Sequence, residues 1–403
     1  MSAERPGTDV VVIGAGIIGA LIGRELAGRG LGVVLLDPEP GRGASIGNAG
    51  MIVPSFTRPM ADPATLWEGL RAMTGGDPLL TVGSLSPAVL TWLARFAVAA
   101  RPGRAGRSAA RLVGPARTAA DEYANLAAET GIDLSVAGDG WLQVARSPAV
   151  LRRRLLSARA LTKNGVDHEV LTQAELRARE PELGPDLAGA VFFPGDSSLD
   201  PAAATRAALV AAELRGVIIH SARVISLVRR HGEVTAVKTD LGEFNATHYV
   251  LANGAGPPGG RGIQPGWGWS IDVPAKHPPI STPLMGLDDH VVFNPLPDRI
   301  RITGGMRIGG TPEDRHDQAA TTAIQQAAEQ IVPALHDLRE GTVTITRAAR
   351  PMTPDGLPRV ARTGRNLITA TGHGTLGMTL APATATTVAR LLGHGGHRAE
   401  VSR

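Results

Sequence analysis

A chain of 403 residues is too long for one ordinary hydrophobic core, and its 43% hydrophobic content is enough to fill two. That apolar fraction excludes wholesale disorder, and the absence of cysteine excludes a disulfide framework, thiolate-ligated zinc or iron–sulfur, a cysteine nucleophile and a flavin tethered through cysteine. The net charge of 41 − 37 = +4 is a weak field, and lysine occurs only at Lys163, Lys238 and Lys276, so the arginine excess reads as background and not as a nucleic-acid footprint.

Met1 to Thr8 is polar and lacks an apolar core segment, so no secretory signal is expected. Val10 to Ile13 reads as a strand. Gly14, Gly16 and Gly19 follow, then a helical pattern through Leu26, a break at Gly30 and Gly32, and a second strand from Val33 to Leu36 that ends at Asp37. This is one βαβ unit. Its glycines permit a tight turn and close approach of backbone to a pyrophosphate. The helix N-terminus offers free N–H groups and a positive dipole end. Asp37, 37 − 19 = 18 residues beyond the last glycine, suits a ribose hydroxyl. The pattern indicates a dinucleotide without saying which.

Past Asp37, the stretch Gly41 to Met51 holds four glycines in eleven residues. Such backbone can lie against a flat or charged ligand, or form a plain flexible loop. Residues 58–197 read mainly as helices, Ala- and Arg-rich from Arg95 to Thr130, with strand pieces at Gly140 to Ala145 and Gly189 to Phe193. Leu85 to Ala100 comes nearest to a membrane segment. Pro87 and Arg95 interrupt it, and it falls short of the ~18 apolar residues a span needs. It reads as a partly buried helix, with a helix resting on a membrane or partner as the alternative.

An Ala-rich helix is expected from Pro201 to Arg215, then strands at Val217 to His220, Val224 to Val228, Val234 to Thr239 and Thr247 to Leu251. Pro257 to Gly266 is a candidate boundary. A strand-rich block (Trp267 to Ile308), a helix (Ala319 to Ile331), strands at Val343 to Thr346 and Leu367 to Ala370, and a closing helix from about Ala383 to Leu392 complete the chain.

Two late motifs carry chemistry. Thr371-Gly372-His373-Gly374-Thr375-Leu376-Gly377-Met378 is a glycine-rich turn that leads into a helix, which repeats the anion-binding logic of the first motif. Arg350-Pro351-Met352-Thr353-Pro354-Asp355-Gly356 is an arginine-led turn, and a planar guanidinium is the natural partner of a carboxylate. A surface ion pair is the plainer reading of Arg350.

Together, Gly14-Ala15-Gly16-Ile17-Ile18-Gly19, Ser45-Ile46-Gly47-Asn48-Ala49-Gly50, Arg350 to Gly356 and Gly372-His373-Gly374-Thr375-Leu376-Gly377 resemble the FAD-dependent D-amino-acid dehydrogenases of the D-amino-acid oxidase/glycine oxidase superfamily. The likeness spans nearly the whole chain and includes Asp200-Pro201 and Arg299-Ile300-Arg301. It implies an α/β fold. A discontinuous Rossmann-like FAD domain of glutathione-reductase type (1–57, 198–258, 345–403) would join a mixed-sheet α+β substrate domain (58–197, 259–344). It implies non-covalent FAD held by Gly14, Gly16, Ile17, Ile18, Gly19 and Asp37 at the ADP half. Ser45, Asn48, Ala49, Gly50 and Met51 would run along the ribityl chain and ring. Val224 would lie at the adenine, Gly254 near the pyrophosphate, and Gly372, Gly374, Thr375, Leu376 and Gly377 at the pyrimidine end.

The implied reaction is oxidation of an amino acid at its α-carbon by hydride transfer to the flavin. The resulting imine hydrolyses to a keto acid and ammonia. Arg350 and Arg299 would fix the substrate carboxylate, with His373 close by. The sequence departs from the family where a tyrosine is usual, since 266–271 reads Gly-Trp-Gly-Trp-Ser-Ile, and where an acidic residue is usual, since 304–307 reads Gly-Gly-Met-Arg. Trp267, Trp269 and Arg307 are therefore candidate substrate residues. A secondary amine or a tailored natural-product intermediate is the alternative substrate. One subunit of an electron-transfer complex is a further reading. The electron acceptor (quinone, oxygen or partner protein) and any homo-oligomer stay open. No metal is expected, and the chain is expected in the cytoplasm, with peripheral contact at the inner membrane face as the variant.

Overall fold

The computed structural model describes residues 8–57, 79–101, 104–136, 140–256, 262–310, 317–338 and 343–393. The N-terminus up to Gly7 and the stretch from Pro257 to Arg261 of the expected boundary lie outside them. In chain order, the elements that build the site are β1 (Val10–Ile13), α1 (Ile17–Ala27), β2 (Val33–Asp37), β3 (Met51–Ile52), α2 (Pro87–Ala99), β4 (Ser197–Ser198), α3 (Pro201–Leu214), β5 (Gln264–Pro274), β6 (Arg299–Ile308), α4 (Asp317–Ile331), β7 (Thr344–Met352) and α5 (Gly377–Leu391).

β1 and β2 lie in a six-stranded sheet, in the order Arg359–Arg362, Leu367–Thr371, His248–Leu251, β1, β2, Ile218–Ser221. All its pairings are parallel except that of the first two strands. β1 is buried along its whole length, which is why it is an unbroken apolar run. One face of the sheet packs on α1, α3 and α5. The other packs on a three-stranded antiparallel ribbon whose buried residues include Val234 and Val237. Alanine lines the buried side of α3 at 203, 204, 207, 208, 211 and 212, and so lets α1 approach closely. Asp200 caps α3 by accepting from Ala202 N–H at 2.9 Å, with Pro201 in the first turn.

A second, nine-stranded mixed sheet runs β7, β5, β6, Val291–Leu296, Leu284–Gly286, Trp141–Ala145, Gly189–Phe193, Glu169–Thr172, with Leu80–Val82 beside β6. Isoleucines and valines of β5 and β6 pack on α4 through Ile324, Ala327 and Ala328. β7 belongs to this sheet, although residues from 345 onward were expected with the dinucleotide domain. The pattern of 343–346 shows only a strand, not its partner.

One further difference has a physical cause. α5 begins at Gly377, six residues earlier than expected, with Pro382 inside it. Proline leaves the Met378 carbonyl without its helical donor, and the Tyr123 hydroxyl donates to that carbonyl at 2.9 Å instead. α2 is partly buried, as expected: Val89, Trp92 and Phe96 face inward, while Leu90 and Val98, and Leu85 just before the helix, are exposed. Among the described residues no helix is long and apolar enough to cross a membrane.

Candidate functional site

The first wall of the site is the β1–α1 turn. Gly14 has φ +106°, and a Cβ there would sit 2.4 Å from the Ala252 carbonyl oxygen. A Cβ on Gly19 would lie 1.8 Å from the Gly14 carbonyl oxygen, so only glycine lets α1 start this close to the turn. Gly16 caps α1 with no side-chain bond, and the Ile17 N–H donates to Ser45 Oγ at 3.0 Å. The half-buried Ile18 shares this first turn, which carries no acidic residue. Asp37 ends β2 and accepts from Ala15 N–H (2.8 Å) and Glu39 N–H (2.9 Å), one to each oxygen. Each carboxylate oxygen keeps a lone pair for a further donor. Ala222 N–H bonds the Asp37 carbonyl at 2.9 Å, which carries the chain to Val224 beside this corner. At Gly254, φ +61°, a Cβ would meet no atom within 4 Å, so the turn after the His248–Leu251 strand leaves open space.

The second wall is the loop Ser45–Gly50 and β3. Asn48 accepts from Gly50 N–H at 2.9 Å and closes the loop on itself. Gly50 has φ +85°, and a Cβ there would lie 2.0 Å from the Leu199 carbonyl oxygen. Asn294, fully buried, donates to the carbonyls of Ala49 (2.8 Å) and Leu199 (3.0 Å). Met51 pairs with Ser198 in the β3–β4 ribbon, and Thr379 of α5 donates to the Met51 carbonyl at 3.1 Å. Beyond β3, Ser55 donates through both N–H (3.2 Å) and hydroxyl to Asp196. Burial lifts the Asp196 carboxyl to about 7, against the lowering pull of Ser55 and the Arg154 guanidinium. From the other sheet, Arg301 donates to the carbonyls of Ile46 (2.9 Å) and Asn48 (3.2 Å).

The third wall is the face of β7 that carries Thr346, Ala348, Arg350 and Met352. A Cβ on Gly47 would come 2.5 Å from Ala348 Cβ, so the loop rests on this face. Arg350 is next along it and lies over Gly268 of β5, where a Cβ would reach 2.3 Å from the guanidinium. Opposite Gly268 the ladder is irregular. Trp267 pairs with Arg307 and Trp269 with Gly304, so β6 spends 307 − 304 = 3 steps where β5 spends 269 − 267 = 2. The extra residue is a bulge that includes Gly305 at φ +71°, and Arg350 Nη1 donates to the Gly305 carbonyl at 2.8 Å. Arg350 has no carboxylate partner among the described residues. Burial alone pushes its pKa down to about 10, so it stays charged at neutral pH. Its strand is pinned on both sides: Gly374 N–H donates to the Pro351 carbonyl at 3.0 Å, and Trp92 Nε1 to the Met352 carbonyl at 3.0 Å. Thr375 and Leu376 then lead into α5, whose N-terminus at Gly377 leaves a Cβ position open for 4 Å.

Some expected residues lie elsewhere. Arg299 pairs with Asp200 (2.7 Å), Asp298 (2.6 Å) and Asp272 (3.7 Å). It faces Pro274 of β5, whereas Arg350 faces Gly266, eight strand residues or ~26 Å away. It cannot share a substrate carboxylate with Arg350. His373 is 4% exposed beneath its turn, with Nε2 2.8 Å from Thr384 Oγ1. Burial holds it down to about 4, so it is neutral and supports the turn rather than facing the crevice. Trp269 packs in the α4 cluster and Trp267 against it, with the Arg347 guanidinium 5.1 Å from the Trp267 ring. Arg307, directly opposite Trp267, shares that face and is 8% exposed. All three lie on the side of the sheet away from Gly268 and Arg350.

Sequence reasoning passed over Asp272, Asn294 and Thr379, and it quoted Arg301 in the family likeness without giving it a role. Alternation gave one signal, because Arg301 and Arg299 fall on the same face of β6. The turns and glycines fit FAD. The Gly14–Gly19 turn, Asp37 and the open Gly254 would hold its ADP half. Ser45–Met51 would follow the ribityl chain, and the α5 N-terminus would meet the pyrimidine end. Among the described residues no cluster fit for a metal ion is present.

The comparisons agree with this geometry. The family model described as FAD dependent oxidoreductase (DAO) matches residues 9–391. The chain is 32% identical to a D-amino acid dehydrogenase of Rhizorhabdus wittichii, over 95% of this chain and 96% of that one. It is 30% identical to a D-amino acid dehydrogenase of Vibrio cholerae, over 96% and 95%. Among solved structures, glycine oxidase from Geobacillus kaustophilus superposes with a TM-score of 0.74 at 24% identity, over 97% of this chain and 95% of that one. L-Proline dehydrogenase from P. horikoshii gives 0.70 at 21%, over 98% and 96%. With its dinucleotide turn, its glycine-lined crevice and a match along nearly its whole length, the chain belongs to the DAO family of FAD-dependent oxidoreductases.

Proposed function

We propose that this oxidoreductase removes two electrons from the α-carbon of an amino acid, a D-amino acid first among the candidates, whose carboxylate is held by Arg350. The observation that carries this reading is a desolvated guanidinium with no carboxylate partner among the described residues, on the face where the Ser45–Gly50 loop rests. One Nη1 donor is committed to Gly305, and the remaining N–H groups of the fork are available to a carboxylate. Bound FAD supplies the two-electron acceptor.

The chain's own contribution is placement. Arg350 is set by the Gly305 carbonyl and by the two backbone contacts of Pro351 and Met352. A carboxylate anchored there holds the α-carbon at a fixed height over the loop face. Hydride loss from the α-carbon needs the lone pair of a neutral amine, so kcat/KM rises with pH until the free amine predominates. A secondary amine, an imino acid or a tailored intermediate is the alternative substrate; Trp267, Trp269 and Arg307, which prompted it, lie on the α4 side of the sheet and favour the simple amino acid. Oxygen, a quinone and a partner protein remain the acceptors to be separated. A cytoplasmic setting with the exposed side of α2 against a membrane or partner belongs to the same reading.

The test is anaerobic. Oxidised holoprotein is mixed with D- and L-amino acids, sarcosine and proline, and the visible flavin band is followed. Bleaching by D-amino acids but not by their decarboxylated amines supports the reading. Equal bleaching by both contradicts it. Air is then admitted, and the reoxidation rate separates oxidase from dehydrogenase.

A further inference from the structure

Arg301 and Asp272 have no place in substrate binding, yet they are the most completely engaged charges near the cofactor cradle. Arg301 is 4% exposed. Its Nε and Nη2 donate to the two oxygens of Asp272, each at 2.7 Å. Its Nη1 donates to the carbonyls of Ile46 and Asn48, at 2.9 and 3.2 Å. These carbonyls flank Gly47, which itself rests on Ala348 of β7. The same loop begins at Ser45, whose hydroxyl takes the Ile17 N–H at the start of α1.

Asp272 also meets Arg299 at 3.7 Å, and Arg299 meets Asp200 at 2.7 Å. Burial alone would lift the Asp200 carboxyl. Arg299 and the N–H groups of Ala202 and Ala203 more than offset it and hold it below the usual range. A continuous ladder of opposite charges therefore runs from the loop carbonyls through β6 and β5 to the N-terminus of α3. It ties the loop to both sheets.

We propose that Arg301 is a positioning residue for the cofactor: clamped by Asp272, it holds the Ser45–Gly50 loop in the shape that grips FAD. The inference rests on the FAD reading of the cradle and deepens it. Geometry requires arginine. Two carboxylate bonds and two carbonyl bonds use the planar fork in three directions, and a lysine ammonium cannot span them. Asp272 makes no hydrogen bond to the loop, so it acts on the loop through Arg301.

The test uses holoprotein of the parent, Arg301→Gln, Arg301→Lys and the double variant Arg301→Gln/Asp272→Asn. FAD release is followed by free-flavin fluorescence on dilution, with far-UV circular dichroism alongside. The expected result is an FAD Kd raised about tenfold or more in all three, with unchanged circular dichroism. Lysine does not rescue, the double variant is no worse than Arg301→Gln, and substrate KM at saturating FAD stays near the parent value. The double variant leaves no buried charge unpaired in this pair, so it folds if the pair serves the cofactor. An FAD Kd within about twofold of the parent would overturn the proposal. So would loss of secondary structure in the double variant at saturating FAD. A parent that binds no FAD would instead overturn the cofactor reading itself.

Discussion

The two ends of the crevice were built under different rules. At the β1–α1 turn, function is a property of backbone: glycines at fixed spacing, a helix N-terminus, and one carboxylate at the end of the next strand. At the β5–β6–β7 face, function is a property of register: which arginine of several faces the crevice depends on a bulge, on the pairing of Gly266 with Arg350, 84 residues apart, and on the side-chain bond from Arg350 to the Gly305 carbonyl, 45 residues apart. The first kind of site shows in a sequence because its requirement is local. The second does not, because nothing near Arg350 in the chain says that Gly268 lies beneath it.

The comparison can be broken most directly at Arg350. Arg350→Ala is expected to lower kcat/KM by roughly 10²–10³-fold, since removing one partner of a desolvated, hydrogen-bonded charge pair costs about 2–5 kcal/mol. Bound FAD should be unaffected, which steady-state kinetics and the flavin spectrum together will show. The next largest effect is expected at Gly268. A Cβ there would come 2.3 Å from the guanidinium, a flexible group that moves aside at the expense of its Gly305 bond. Gly268→Ala should raise KM about tenfold or more, with kcat changed less. At the other end, Asp37→Ala should weaken FAD by about tenfold while substrate KM, measured with FAD saturating, stays unchanged. If Asp37→Ala raised KM as much as Gly268→Ala does, the division between the two ends would fail.

The smallest expected effects concern pH. His373 sits near 4 when folded and at its ordinary 6.5 when unfolded, so the unfolded chain binds more protons between those values. Its contribution to stability is complete above about 6.5 and is lost as pH falls through about 4. Asp196 has the opposite sign. Its folded value of about 7 lies above the ordinary 3.8, so stability falls as pH rises through that window. His373→Gln should flatten the acid limb of the Tm profile, and Asp196→Asn the limb approaching neutrality, each by a few degrees. Profiles parallel to the parent in both variants would contradict these assignments.

Much of the dinucleotide end was legible. Gly14, Gly16, Gly19 and Asp37 converge on the start of α1, as their spacing suggests, and Ser45, placed near the cofactor by the family resemblance alone, joins them there. At the other end, Arg350 is the one expected substrate residue that the proposed site keeps. Arg299 was placed beside Arg350 by the family resemblance, yet on β6 it faces Pro274, at the opposite end of β5 from Gly266 and Arg350. Trp267 and Trp269 drew notice as departures from a family pattern, and strand alternation turns both toward α4. His373 was expected near the substrate by the family resemblance, but the turn folds it under toward Thr384. Arg301 and Asp272 are separated by 28 intervening residues and joined only by the β5–β6 register (Asp272 opposite Arg301), so neither pattern nor composition links them.

The central claim is that Arg350 reads a carboxylate. The most direct test compares each amino-acid substrate with its decarboxylated amine in the parent and in Arg350→Ala, using the anaerobic rate of flavin bleaching. The parent should favour the amino acid by roughly 10²-fold or more, and the variant should lose most of that preference. If Arg350→Ala keeps the parent's discrimination, the carboxylate is bound elsewhere and this account of the site is wrong.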